Sequence, residues 1–143
     1  MFCIIETIPS PCPPASASEN QGSDLPPAPQ PQFVGITGLW AHIERANRHS
    51  NYSIVLLPEF WNKGYGKAIT KFMVDHAFLH LNMHRISLEV YEGNERAMAV
   101  YNKFGFVEEG RQRKANWVNG AWRDIIFMGI LAEDWAELKK SEQ

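Results

Sequence analysis

The chain has 143 residues, a net charge of −2 at pH 7 and 45% hydrophobic residues. This is enough for one domain with a core, and it argues against a nucleic-acid partner or an anionic-membrane surface. No apolar run approaches the ~20 residues of a membrane span, the start Met1-Phe2-Cys3-Ile4-Ile5-Glu6 is not a signal peptide, and Cys3 and Cys12 make no disulfide framework, so the expected compartment is the reducing cytoplasm.

Phe2 to Thr7 reads as a strand. Residues 8–31 hold every proline except Pro58, with Ser, Ala, Gly and Asn between them. Such a composition cannot bury a core, so a disordered loop is expected inside a single domain, 1–143. With the apolar stretch Phe33 to Ile43 beyond it, the pattern predicts a hairpin with an enlarged tip. Ser50 to Leu57 is a further antiparallel strand.

That strand runs into Pro58-Glu59-Phe60-Trp61-Asn62-Lys63-Gly64-Tyr65-Gly66-Lys67. A glycine-rich turn between a strand and a helix start is an anion site, because the first N–H groups of a helix lack helical partners and its dipole adds positive charge. Gly64 and Gly66 let a bulky ligand approach the backbone, and Lys63 and Lys67 add charge. The bland alternative is a tight turn. The turn is neither a dinucleotide fingerprint, which needs glycine at Ile69, nor a Walker A loop, which needs Gly-Lys-Ser/Thr.

A helix is expected over Lys67 to Leu81, with Ala68, Ile69, Phe72, Met73, Phe78 and Leu81 as candidate core. His76, His80 and His84 share a helical spacing that can bind zinc, but His84 lies past the expected helix end. A polar helix face is the preferred reading, with no metal. Arg85 to Tyr91 alternates as a strand, with Ile86, Leu88 and Val90 on one side and Ser87, Glu89 and Tyr91 on the other. Asn94 is an N-cap; Ala97, Val100, Tyr101 and Phe104 form a helical stripe; Gly105 is a C-terminal glycine stop. Phe106 to Val118 and Ala121 to Ile130 are strands joined by the hairpin turn Asn119-Gly120. The basic run Arg111-Gln112-Arg113-Lys114 reads as a solvated strand face. Ala132 to Lys140 closes the chain as a short helix.

The glycine-rich loop, followed about thirty residues later by Leu88-Glu89-Val90 and by Asn94-x-x-Ala97-x-x-x-Tyr101-x-Lys103-x-Gly105-Phe106, resembles the GNAT superfamily of acetyl-CoA-dependent N-acetyltransferases over about residues 33–131. Trp61 stands where the family loop usually carries Arg or Gln. Gly110-Arg111, Asn119-Gly120, Asp124 and Met128 to Leu131 resemble the branch acting on ribosomal-protein N-termini, amino acids and polyamines.

The resemblance implies an α+β fold with a mixed, mostly antiparallel central sheet flanked by helices. Here it lacks the family's usual first strand and two helices, as in an N-terminally truncated chain. It also implies acetyl-CoA as co-substrate, an amine acceptor that is a small molecule or a peptide N-terminus, and direct transfer in a ternary complex. A homodimer is a further expectation. By resemblance, the backbone of Val55, Leu56 and Leu57 pairs with the pantetheine arm, the Leu57 N–H polarises the thioester carbonyl, and Asn94 hydrogen-bonds the arm. Asn62, Lys63, Gly64, Tyr65, Gly66 and Lys67 cradle the phosphates, with Lys103 nearby. Glu89 is the candidate general base, with Glu44, Glu59 or a water chain as substitutes, and Tyr101 is the candidate general acid. The other reading is a catalytically impaired acyl-CoA-binding remnant of the same fold.

Overall fold

The computed structural model describes residues 1–8, 30–41 and 45–141. The expected disorder of the proline-rich loop therefore falls almost wholly outside the described residues, as do His42, Ile43 and Glu44. Six strands form one sheet: β1 (Phe2–Glu6), β2 (Phe33–Ala41), β3 (His49–Leu56), β4 (Arg85–Tyr91), β5 (Val107–Val118) and β6 (Ala121–Leu131). The spatial order is β1-β2-β3-β4-β6-β5. Every neighbouring pair is antiparallel except β3 and β4, which run parallel. Among the described residues three α-helices complete the fold: α1 (Tyr65–Leu79), α2 (Glu95–Lys103) and α3 (Ala132–Ser141). None is long and apolar enough to cross a membrane.

The hairpin expected around the proline-rich segment is present. Cys3 pairs with Thr37 and Ile5 with Gly35. The ladder stays closed beyond the strand ends, where Thr7 N–H donates to the Gln32 carbonyl at 2.9 Å. The Asn119-Gly120 turn also forms, with φ of 50° and 78° at its two residues, the left-handed geometry a two-residue hairpin demands.

One face of the sheet carries the core. Leu39, Tyr52, Ile86, Leu88, Val90, Ile126, Met128 and Ile130 pack beneath Met73, Val74 and Ala77 of α1 and Tyr101 of α2. α3 is tied to α1 through Asp75, which accepts from the Trp135 indole at 2.8 Å and pairs with Lys71 at 2.6 Å and Lys139 at 3.0 Å. The expected stripe of the first helix needs correction. The helix starts at Tyr65 rather than Lys67 and ends at Leu79, and its buried residues are Thr70, Met73, Val74 and Ala77. Ala68, Phe72 and Leu81 are exposed. The sheet beneath selects this face: the Tyr52 hydroxyl bonds Thr70 Oγ1 at 3.0 Å, which turns a polar residue inward and Phe72 outward.

Candidate active site

The parallel seam between β3 and β4 is short. Only His49–Arg85, Ser50–Ile86 and Asn51–Ser87 pair, yet β3 continues to Leu56 and β4 to Tyr91. Beyond Asn51 and Ser87 the strands part, leaving a gap whose bordering backbone groups lack a strand partner on that side.

Strand alternation decides which residues of β3 address the gap, since the N–H and C=O of successive residues point to opposite edges. The Leu57 N–H donates to the Val34 carbonyl of β2 at 2.9 Å, so Leu57 departs from its expected role. The same parity turns Val55 toward β2. Leu56, and Ile54 before it, turn toward the gap. The Leu56 carbonyl already accepts the Trp61 indole N–H at 2.9 Å, which leaves the Leu56 N–H and the Ile54 groups for a ligand. Ligand pairing was expected of three consecutive residues, Val55, Leu56 and Leu57; the two-residue repeat of a strand permits only alternate ones.

At the far end of β3 the chain makes a helical turn, Pro58–Phe60, and enters the glycine-rich loop. Gly64 is the N-cap of α1 with φ 85°, and a Cβ built there would meet nothing within 4 Å. The first backbone bond of the helix runs from Ala68 N–H to the Gly64 carbonyl at 3.1 Å. The N–H groups of Tyr65, Gly66 and Lys67 therefore precede the helical ladder and are open to an anion. Lys63 lies over the Phe60 ring, 5.3 Å from its centroid, and Tyr65 packs edge-on to the same ring. Lys67, in the first turn of α1, meets Lys103 from the last turn of α2. The contact with that second ammonium and its charge hold the Lys67 amine below the ordinary lysine range. Two cations crowded beside a row of free N–H groups suit a multiply charged anion.

The sequence reading missed Arg96. From the first turn of α2 it crosses to the loop, stacking on Trp61 and donating from Nη1 to Asn62 Oδ1 at 3.3 Å. Asn62 is left-handed, with φ 61°. A guanidinium thus stands beside the loop although Trp61 has replaced the Arg or Gln of the family pattern. The available signal was an arginine two residues after an N-cap, which looks like any solvated helix residue.

The two residues expected to carry the chemistry lie on opposite faces of the sheet at the gap. Glu89 alternates with buried Leu88 and Val90, so it projects from the face away from the helices. It is exposed, and no side-chain hydrogen bond or ion pair engages it among the described residues. Tyr101 is buried on the helix side, its ring edge-on to Tyr52 at 6.3 Å. Burial, and secondarily Tyr52, pushes its hydroxyl well above the ordinary tyrosine value. No sealed side-chain oxygen or nitrogen lacks a partner among the described residues. The Tyr101 hydroxyl has none, so it must open to solvent. Asn94 caps α2, its Oδ1 accepting from Ala97 N–H at 3.3 Å, which leaves its amide NH₂ free for a second bond.

The histidines do not gather. His76 stacks on Phe72 of α1 and lies tilted against His80, the residue after the helix, while His84 lies further beyond the helix end. Among the described residues no three metal-capable side chains come together.

Comparison with known proteins agrees with this arrangement. The profile of the Acetyltransferase (GNAT) family matches residues 27–106. A spermidine N(1)-acetyltransferase from Vibrio cholerae is 32% identical over 113 residues, which is 79% of this chain and 64% of that protein. A putative ribosomal N-acetyltransferase, YdaF, from Bacillus subtilis is 30% identical over 66% of this chain and 51% of its own length. The crystal structure of the Vibrio cholerae spermidine N-acetyltransferase in complex with CoA and spermine superposes with a TM-score of 0.68 at 30% identity, covering 76% of this chain and 64% of that one. The chain thus spans between half and just under two thirds of these relatives. A sheet parted beside its central parallel seam, a helix start open to anions at the end of that gap, and a matching profile over most of this region lead to one conclusion: the chain belongs to the GNAT acetyltransferase family.

Proposed function

We propose that this chain is the cofactor-binding and catalytic part of an N-acetyltransferase that moves an acetyl group from acetyl-CoA directly to a primary amine. The observation that carries the reading is the gap between β3 and β4, with Glu89 on one face of the sheet and Tyr101 on the other. A thioester lying in the gap is open to an amine from one side and to a proton donor from the other.

In this reading the pyrophosphate rests on the N–H groups of Tyr65, Gly66 and Lys67, with Asn62, Lys63, Gly64 and Lys103 around it. The pantetheine arm pairs with Ile54 and Leu56 and takes the amide of Asn94. Glu89, directly or through a water, removes the proton from an amine whose ordinary pKa is near 10. The nitrogen attacks the carbonyl carbon, and the Leu56 N–H stabilises the developing oxyanion in place of Leu57. The C–S bond breaks, the attacking nitrogen gives up its excess proton to solvent, and the sulfur leaves with the Tyr101 proton, which solvent restores. Acid and base contribute about 10²–10⁴-fold each; holding both reactants in one gap supplies several kcal/mol more.

Residues 1–143 act as a single domain in this reading, and the compartment is cytoplasmic. The polyamine relatives support a small-molecule amine over a peptide acceptor. A homodimer through the β1 edge is part of the same proposal.

The test is turnover of acetyl-CoA by the chain with spermidine, spermine and a peptide N-terminus. Glu89→Gln should lower kcat about a hundredfold or more, and initial-rate lines should intersect. Parallel lines would replace direct transfer with an acetyl-enzyme route. Tight acetyl-CoA binding without release of CoA to any amine would favour the acyl-CoA-binding remnant.

A further inference from the structure

Tyr52 is a buried phenol with no part in the reaction proposed for this site. It is the first residue of β3 past the paired seam, which ends at Asn51, so it stands where the gap begins. Like Ser50 two residues before it, it is buried on the helix side of the sheet.

A buried hydroxyl needs a hydrogen-bond partner, and this one finds it on α1. The Tyr52 hydroxyl and Thr70 Oγ1 share a bond of 3.0 Å, between residues only 4% and 1% exposed. Thr37 of β2 also reaches the Tyr52 hydroxyl. The phenol is therefore held at its far end by neighbouring elements and at its Cα by β3, so its ring has little freedom to tilt.

Tyr101 is held less firmly. No hydrogen bond engages its hydroxyl among the described residues, so the phenol is directed by what packs against its ring. Two rings do so: Tyr52, edge-on with centroids 6.3 Å apart at 88°, and Phe106, at 5.8 Å and 59°. Phe106 travels with Tyr101, because its own N–H donates to the Tyr101 carbonyl at 3.1 Å. Of the two rings, Tyr52 alone belongs to a strand that borders the gap. The perpendicular contact is a preferred arrangement of aromatic pairs, and after burial it is Tyr52 that raises the Tyr101 pKa, so the two phenols feel each other directly.

We propose that Tyr52 is a positioning residue for the acid: fixed to Thr70, its ring sets where the Tyr101 hydroxyl points in the gap. The inference rests on the acid role proposed for Tyr101. A proton donor must come within about 2.6–3.2 Å of the atom it serves, and a misplacement of about 1 Å can cost ~10²-fold in rate. A Tyr101 ring referenced to β3 keeps its hydroxyl on the strand against which the thioester lies.

The test follows kcat, the acetyl-CoA KM and the NMR signals of ¹³C-labelled tyrosine rings in the full chain. Tyr52→Phe keeps the ring and removes its anchor. The freed Thr70 hydroxyl can bond the carbonyl four residues back, so the variant stays folded. It should lower kcat about tenfold, leave KM within about twofold and shift the Tyr101 ring signals. Thr70→Val should act alike, and Thr70→Ser, which keeps the hydroxyl, should restore both readings. In a Tyr101→Phe background, Tyr52→Phe should cost nothing further, because a positioning residue acts only through the group it places. An equal loss in both backgrounds, or unmoved Tyr101 signals in a folded Tyr52→Phe, would make Tyr52 a core residue and overturn the proposal. Unaltered kcat in Tyr52→Phe beside a slow Tyr101→Phe would overturn it while keeping the acid. Full turnover by Tyr101→Phe would strike the acid and this inference together.

Discussion

Arg96 lies across the face of Trp61, with its guanidinium carbon 4.8 Å from the ring centroid, while its Nη1 holds Asn62. The two residues are far apart in sequence, and together they add a guanidinium to a loop whose own cations are lysines. An exposed cation–π contact contributes about 0.5–1 kcal/mol, and a hydrogen bond from a charged donor about 1.5–3. Arg96→Ala should therefore raise the acetyl-CoA dissociation constant about tenfold with little change in kcat, as read by calorimetry and steady-state kinetics. An unchanged dissociation constant would leave Arg96 as a brace for Trp61 alone.

Tyr101→Phe keeps the ring contacts with Tyr52 and Phe106 and removes only the hydroxyl. It should lower kcat about 10²-fold or more and leave acetyl-CoA affinity within about threefold. Because burial raises the pKa of this hydroxyl, the phenol stays protonated past the ordinary value near 10. The pH–kcat profile should accordingly show no loss from Tyr101 ionisation below about pH 10. Equal turnover by the variant would remove Tyr101 from the reaction.

Gly64→Val tests the loop. The positive φ costs a branched residue roughly 1–2 kcal/mol, but the space around the added Cβ is open. The variant should stay folded with a modestly lower Tm and bind acetyl-CoA at least about tenfold more weakly, because the new side chain occupies ligand space. Retained affinity in a folded variant would move the phosphates elsewhere.

Asp75 predicts how the helix face responds to acid. Burial alone would raise its pKa, but hydrogen bonds from Lys71, Trp135 and Lys139 outweigh burial and hold it below the usual carboxylate range. A depressed folded pKa contributes stability that is present above the unfolded value of about 3.9 and is lost as pH falls through the folded one. Asp75→Asn should cost about 1–2 kcal/mol at neutral pH, discounted for partial exposure. It should also flatten the acid limb of a Tm–pH curve below pH ~4. A parallel acid limb in the variant would shift that dependence to other carboxylates.

The elements that repeat locally were legible. The alternation of Ile86, Leu88 and Val90, the Asn94 cap, the Gly105 stop and the Asn119-Gly120 turn each rest on neighbours within a few residues, and each is present. What depended on distant partners was not. Phe72 loses its expected core place to Thr70 because of a hydroxyl on another strand, and Arg96 matters only through Trp61 and Asn62. The side of β3 that Leu57 addresses follows from its register with Val34, which no local pattern encodes.

The short parallel seam has a mechanical consequence. β1, β2 and β3 form one half of the sheet, β4, β6 and β5 the other, and among the described residues the backbone bonds between the two run only from residues 48–51 to 84–87. Few ladder bonds hold this joint, so the core shared beneath α1 carries most of the join between the halves. A linear ligand bonded to both lips of the gap lengthens the stitching. It would act as a removable strut, damping amide exchange in the two central strands far more than at the sheet edges.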